Sequence, residues 1–164
     1  YAHGIPRSVG REELKRVWEL SVAQYLHQGF DEIRLNEGAT ELFERLQDLG
    51  VNLAIVSAEV TRVLEGRLKH FGLTDMFSHV RGDSLDKVEC LNKTLQHFGV
   101  EPSQAFYVGD TAHDVVAGNK VGMKTFGLMY DGSYNEISTI SRADPTYRVC
   151  SLRGVTRVVD EMLI

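Results

Sequence analysis

Two carboxylates lie four residues apart in the stretch Val108-Gly109-Asp110-Thr111-Ala112-His113-Asp114, directly after the apolar run Ala105-Phe106-Tyr107-Val108. That run reads as a buried strand, and Val115-Val116-Ala117-Gly118 beyond it reads as a helix. Acidic groups at the carboxyl end of a strand, in an open α/β sheet, sit where such sheets build their sites. Hard oxygen ligands suit Mg²⁺, which takes few protein carboxylates and keeps water or phosphate in its other positions. A metal-dependent phosphate chemistry is therefore the first expectation, with Asp110 and Asp114 as candidate metal ligands. The alternative is a pair of plain helix-start carboxylates favoured by the dipole. Their place behind a buried strand weights the choice toward a site. Thr111 reads as a supporting or capping hydroxyl, and His113 as a loop residue rather than a catalyst.

Two further residues have types and positions suited to phosphate. Ser57 ends the run 51–56 and precedes a helical pattern. Its hydroxyl, with backbone N–H groups of the helix start such as that of Ala58, forms a ready anion site. A plain N-cap serine is the alternative. Lys87 opens the helical pattern 87–98, where a cation is mildly unfavourable against the dipole. A lysine facing phosphate oxygens would supply electrostatic stabilisation there. A solvated surface lysine is the alternative.

The elements that must position these residues follow from periodicity. A helical stripe over about 11–28 carries Leu14, Val17, Trp18, Ala23 and Leu26, and a second helix covers 38–49. The β-branched run 51–56 reads as a strand buried on both faces. The spacing then predicts a helix at 59–70, a short strand at 79–81, a helix at 87–98, a strand at 105–108 and a helix at 113–121. A strand at 125–128, a loop over 130–146, a strand at 147–149 and a helix at 153–163 complete the chain. From residue 38 onward, strand and helix alternate. That order predicts parallel strands, right-handed crossovers and helices on both faces. Residues 1–36 fall outside the alternation and read as a separate helical piece, hinged near 34–38.

The chain has 164 residues and a formal net charge of −5, enough for one domain with a real core. It has no basic block, so nucleic acid and anionic membranes are poor candidate partners. No apolar run approaches 18 residues, and no signal peptide opens the chain, so a cytoplasmic protein is expected. Cys90 and Cys150 are far apart, and Cys90 falls on an apolar helix face beside Leu91 and Leu95. A buried free thiol is the expected state of Cys90.

The order of these motifs resembles the haloacid dehalogenase (HAD) superfamily of phosphohydrolases. Ala54-Ile55-Val56-Ser57 is similar to the second family motif, a hydrophobic strand ending in a phosphoryl-binding Ser or Thr. Lys87 resembles the lysine of the third motif. The stretch from Gly109 to Asp114, continued by Ala117-Gly118-Asn119 and Val121-Gly122-Met123, is similar to the fourth. The stretch 36–128 is especially close to the phosphoglycolate phosphatase-like branch. The resemblance implies a three-layer Rossmann-like α/β sheet over 37–164, with 1–36 as the remnant of a helical cap. It implies that Ser57, Ala58 and Lys87 bind phosphate, that Ser57 and Lys87 serve catalysis, and that Asp110 and Asp114 hold Mg²⁺. A small phosphorylated metabolite is the implied substrate class.

The family's first motif, a strand followed by Asp-x-Asp, is not among these 164 residues. Its first Asp would be the nucleophile, and its strand sits between those bearing Ser57 and Asp110. Something must satisfy the backbone groups at that position. The expected solutions are further N-terminal residues, a partner chain, or closure of the two strands onto each other. Two functions follow. One is a Mg²⁺-dependent phosphomonoester hydrolase completed by the nucleophile segment. The other is a catalytically silent binding or assembly module, with Trp18 and Tyr25 on the first helix as a homodimer face.

Overall fold

The computed structural model describes residues 11–130 and 137–163. Among the described residues, five short parallel strands form two sheets. In one, β1 (Ala54–Val56) pairs with β2 (His79–Arg81). In the other, β3 (Phe106–Gly109), β4 (Lys124–Leu128) and β5 (Tyr147–Val149) lie in that order. Parallel strands need crossovers, and helices supply them. These helices are α3 (Thr61–His70), α4 (Lys87–Phe98), α5 (Ala112–Val121) and α6 (Ile137–Arg142). Three more, α1 (Arg11–Gln28), α2 (Ala39–Asp48) and α7 (Leu152–Leu163), complete the described α-helices, and short 3-10 turns at Thr74–Met76 and Pro102–Gln104 lie in the loops.

The core sits around β4. Phe126 is fully buried, with Leu128 beside it, and both pack against Leu42 and Leu46 of α2, Val149 of β5, and Val155 and Val159 of α7. The Phe126 ring stacks on Tyr147 at 4.7 Å and meets Phe106 edge-on at 5.4 Å. Burying a side chain of this size contributes about 1.5–3 kcal/mol. Alternate residues of β4 serve the opposite face: Thr125 is also fully buried, and its methyl lies against Gly118 of α5. A strand buried on both faces is what a parallel sheet between two helix layers requires.

Three expectations change. The strand at 51–56 is only three residues long, and the helix after it begins at Thr61, not at 59. The stretch taken as loop, 130–146, contains α6, because Ile140 drives into the core against Val115 and Met129. One buried side chain and six residues leave too little periodicity for a sequence reading to detect. Residues 131–136 of that stretch lie outside the described residues.

The third change concerns the position between the strands bearing Ser57 and Asp110. Closure of those strands onto each other does not occur, since β1 and β3 belong to separate sheets. Their facing edges can be read from the ladder. Ser78 N–H donates to the Leu53 carbonyl and Ser57 N–H donates to the Arg81 carbonyl, so these residues face β2. Successive residues of a strand direct their backbone groups to opposite sides. Ala54 and Val56 therefore turn theirs away from β2. Likewise Lys124 N–H donates to the Ala105 carbonyl, so Phe106 and Val108 face away from β4. Neither edge has a strand partner among the described residues. One of these groups is satisfied by a side chain: the Val56 carbonyl lies 3.2 Å from the Tyr107 hydroxyl of β3.

Helix α1 joins the rest through its last turns. Leu26 and Phe30 pack on α3 where Gly66 leaves room, for a Cβ there would stand 3.0 Å from the Phe30 ring. Arg67 of α3 donates to the Tyr25 hydroxyl at 2.8 Å. Val17, Trp18 and Leu20 are exposed.

Candidate functional site

The turn after β3 is fixed by a close approach. A Cβ at Gly109 would stand 2.2 Å from the Asp114 Cβ, so only glycine lets the strand pass beneath the first turn of α5. Thr111 is the N-cap of that helix, as its type suggested. Its Oγ1 accepts from Asp114 N–H at 3.0 Å, and the Asp114 carboxylate reaches back to it. Asp114 Oδ2 accepts from the Thr111 hydroxyl at 2.7 Å and from the Thr111 N–H at 3.3 Å.

The other carboxylate oxygen faces a cation. Lys87 Nζ lies 2.5 Å from Asp114 Oδ1, and the two side chains are 14% and 7% exposed. Lys87 stands at the first residue of α4, where the dipole opposes a cation. Asp114 compensates it directly, while Asp86 at the N-cap accepts from Glu89 N–H at 3.0 Å. The Tyr107 hydroxyl completes the group. It lies 3.2 Å from Asp114 Oδ1 and 3.3 Å from Lys87 Nζ. It accepts from the ammonium and has one proton, shared between Asp114 and the Val56 carbonyl.

The electrostatics follow from these contacts. Burial pushes the Asp114 carboxyl upward. Hydrogen bonds from Lys87 and Thr111, the Lys87 charge and the Tyr107 hydroxyl outweigh it and hold the pKa below the usual value. Tyr107 is pushed the other way, first by burial and then by the charge and hydrogen bond of Asp114 and the charge of Asp110. It is a neutral phenol across the physiological range.

Asp110 differs from its neighbour. It directly follows β3, is half-buried, and its carboxylate makes no hydrogen bond or ion pair with a described residue. One unengaged carboxylate at a strand end fits Mg²⁺, an ion that keeps most of its waters and needs one or two protein oxygens. Among the described residues no group of three His, Cys, Asp or Glu side chains is gathered for a metal.

Ser57 is not an N-cap. The N-cap position of α3 is Val60, and the first turn is held from another loop by Asp83. Asp83 accepts from Thr61 N–H at 3.1 Å and from the Thr61 hydroxyl at 2.6 Å. Ser57 lies three residues before Val60, its Oγ accepts from Glu59 N–H at 3.1 Å, and Ala58 is exposed. No hydrogen bond joins Ser57 to Lys87, Asp110 or Asp114. It adjoins them in sequence only through Val56, whose carbonyl meets Tyr107. The fold thus brings Lys87 and Asp114 into contact, puts Asp110 beside them, and leaves His113 exposed. Both cysteines are free thiols, Cys90 half-buried beside Val56 and Leu91, and Cys150 exposed.

Tyr107 is the site residue that sequence reasoning passed over. The apolar run 105–108 reads it as part of a buried strand, although an aromatic with a polar tip, two residues before a strand's carboxyl end, is placed to reach a site. A cavity of about 260 Å³ lies elsewhere, over the apolar floor of Phe43, Ile55, Leu68 and Phe71 with Arg67 at its wall.

A profile of haloacid dehalogenase-like hydrolases matches residues 4–128. A phosphoglycolate phosphatase of Haemophilus influenzae is 33% identical over 128 residues, which is 75% of this chain and 57% of that protein. A pyrophosphatase PpaX of Halalkalibacterium halodurans is 28% identical over 128 residues, covering 75% of this chain and 59% of that one. The chain thus spans less than two thirds of the length of these curated relatives. Among solved structures, a predicted phosphoglycolate phosphatase from Haemophilus somnus superposes with a TM-score of 0.77 at 24% identity, over 92% of this chain and 68% of that one. A haloacid dehalogenase-like family hydrolase from Streptococcus pneumoniae gives 0.76 at 19% identity, over 93% and 72%. These structures share the fold.

Proposed function

Since the chain belongs to the haloacid dehalogenase-like hydrolases, we propose that it carries the phosphate- and metal-facing half of a phosphomonoester hydrolase site, with Mg²⁺ as cofactor. The observation that carries this reading is the cluster of Lys87, Asp114 and Tyr107 at the carboxyl ends of β1 and β3, with Asp110 beside it. In this reading Lys87, held by Asp114, offers its remaining ammonium protons to phosphate oxygens. Ser57 and the exposed Ala58 N–H receive the phosphoryl group on the other side. Asp110 holds the Mg²⁺, which when bound neutralises charge on the transferring phosphoryl group.

The attacking carboxylate belongs to the Asp-x-Asp strand, which these 164 residues do not contain. The edges of β1 and β3, unpaired among the described residues, support its entry between them as a further parallel strand. With it, turnover is phosphate monoester hydrolysis through an aspartyl-phosphate. Without it, the chain is a phosphate- and Mg²⁺-binding module. The exposed Trp18 on α1 supports a homodimer face in that second reading, whereas Tyr25 is already engaged by Arg67. Names of the relatives, a phosphoglycolate phosphatase and a pyrophosphatase, support a small phosphorylated metabolite as substrate. Among the described residues no helix is long and apolar enough to cross a membrane.

The test is hydrolysis of p-nitrophenyl phosphate by the 164-residue chain, with and without Mg²⁺, alone and mixed with a synthetic peptide bearing an apolar strand and Asp-x-Asp. Turnover that needs both peptide and Mg²⁺, and that disappears in Asp110→Asn, is the expected result. Equal metal-dependent turnover without the peptide would overturn the divided site.

A further inference from the structure

Ser57 and Lys87, the two side chains that face phosphate in the reading above, share no hydrogen bond, so another part of the fold must set the space between them. The bonds around Ser57 converge on one segment. Ser57 N–H donates to the Arg81 carbonyl at 2.8 Å, Ser84 N–H donates to the Ser57 carbonyl at 2.9 Å, and Asp83 N–H donates to the Glu59 carbonyl at 2.7 Å. Asp83 Oδ2 then accepts the N–H and the hydroxyl of Thr61 at 3.1 Å and 2.6 Å. The loop 57–61 is thus bonded at both ends and at its middle to residues 81–84. Between those bonds Ala58 is exposed, and its N–H donates to no described residue.

The segment 81–84 is itself held in one shape. A Cβ at Gly82 would stand 2.5 Å from Thr61 Cα, so only glycine lets the two loops approach this closely. Asp83 has a φ of 52°, a left-handed backbone that a residue with a Cβ keeps only where its surroundings impose it. Ser84 is buried, with its hydroxyl directed to the Arg81 and Gly82 carbonyls. Three residues later Lys87 opens α4, behind the N-cap Asp86. One short segment therefore leads directly from the bonds that shape the Ser57 loop to the cation.

We propose that residues 81–84 are the frame that sets Ser57 and Lys87 at the spacing of one phosphate, with Asp83 as its positioning residue. The proposal rests on the phosphohydrolase reading above and deepens it, since Asp83 acts on phosphate only through the loop 57–61. Loss of the Asp83–Thr61 bonds frees that loop to move, while Lys87 stays paired with Asp114. Phosphate is then held from one side only.

The test is a titration of the nitrogen-labelled chain with sodium phosphate, followed by NMR at the Ala58 amide and the Lys87 ammonium. In wild type both signals are expected to move with one common midpoint. In Asp83→Ala the midpoint should weaken about tenfold, the worth of a hydrogen bond to a charged acceptor. There the Ala58 signal should move less than in wild type, while Lys87 keeps its full displacement. Asp83→Asn, whose amide oxygen still accepts from Thr61, should bind within about threefold of wild type. Thr61→Val removes the hydroxyl alone and should weaken binding in the same direction, so the test stands if Asp83→Ala fails to fold. Val155→Ala, in the core around β4, controls for lost stability and should leave the midpoint unchanged. Wild-type midpoints in both Asp83→Ala and Thr61→Val would reduce the segment to a structural tie and leave the phosphate reading standing. Separate midpoints for Ala58 and Lys87 in wild type would overturn the shared frame. Silence of both signals throughout the wild-type titration would overturn the phosphate reading, and this proposal with it.

Discussion

Asp114 does structural work that its neighbour Asp110 does not, and stability measurements expose it. Lys87 and Asp114 are a buried pair with mutual hydrogen bonds. Removing one partner strands the other in a low dielectric, so Lys87→Met is expected to cost about 3 kcal/mol in chemical denaturation. Adding Asp114→Asn should restore at least half of that loss, since no bare charge is then buried and the asparagine can still accept from Thr111. A double variant less stable than Lys87→Met would contradict the pairing. Gly109 is the second sensitive position. Alanine there would place its Cβ 2.2 Å from Asp114 Cβ. The strand end or the first turn of α5 must yield, so Gly109→Ala is expected to lower stability by about 1–3 kcal/mol. All of these residues were visible as candidates or as motif filler. Their unequal roles were not, because the residue type says nothing about which acceptor positions are already filled.

At the scale of elements, the short strands depend on loops that cross between them. Asp83 in the β2–α4 loop holds the start of α3 through both polar atoms of Thr61. Asp83→Ala removes that cap, and a loss of about 1 kcal/mol in a urea titration is expected. Strand β2 is tied to the end of α4 by the stack of His79 on His97, ring centroids 4.4 Å apart. His79 Nε2 is buried without a hydrogen-bond partner. Burial first, then the charges of His97 and Arg81, hold its pKa below the ordinary 6.5. The unfolded chain therefore takes up a proton at higher pH than the folded one. Stability is complete above that ordinary value and falls as the pH drops through it toward the depressed one. The urea midpoint should fall between about pH 7.5 and pH 5.5 in wild type and fall less in His79→Phe; identical slopes would remove His79 as the cause. Element positions were legible from periodicity: α1, α4, β2 and β5 match the expected bounds to the residue. Helix α6 was not, for its single anchor Ile140 gives no repeat to count.

At the scale of the whole molecule, the parallel strands fall into two sheets whose facing edges are unpaired among the described residues. Backbone amides on those edges should exchange with solvent faster than their neighbours. Val56 and Val108 are expected to exchange at least about tenfold faster than Ser57, whose N–H is held by Arg81. Equal protection would mean that another strand, from a second copy or elsewhere, already occupies the position. The sequence by itself determined the alternation of strand and helix, the family, and the short list of Ser57, Lys87, Asp110 and Asp114. Those features are local, set by side-chain period and by residue type at element ends. Only the tertiary structure decided that Asp114 is saturated, that Tyr107 joins it, and that β1 and β3 stay apart. The partners concerned are far apart along the chain: Lys87 and Asp114 are separated by 27 residues, and Tyr107 and Val56 by 51. Which groups meet over such separations is settled by how layers pack and where buried polar atoms find partners, which no spacing along a single chain records.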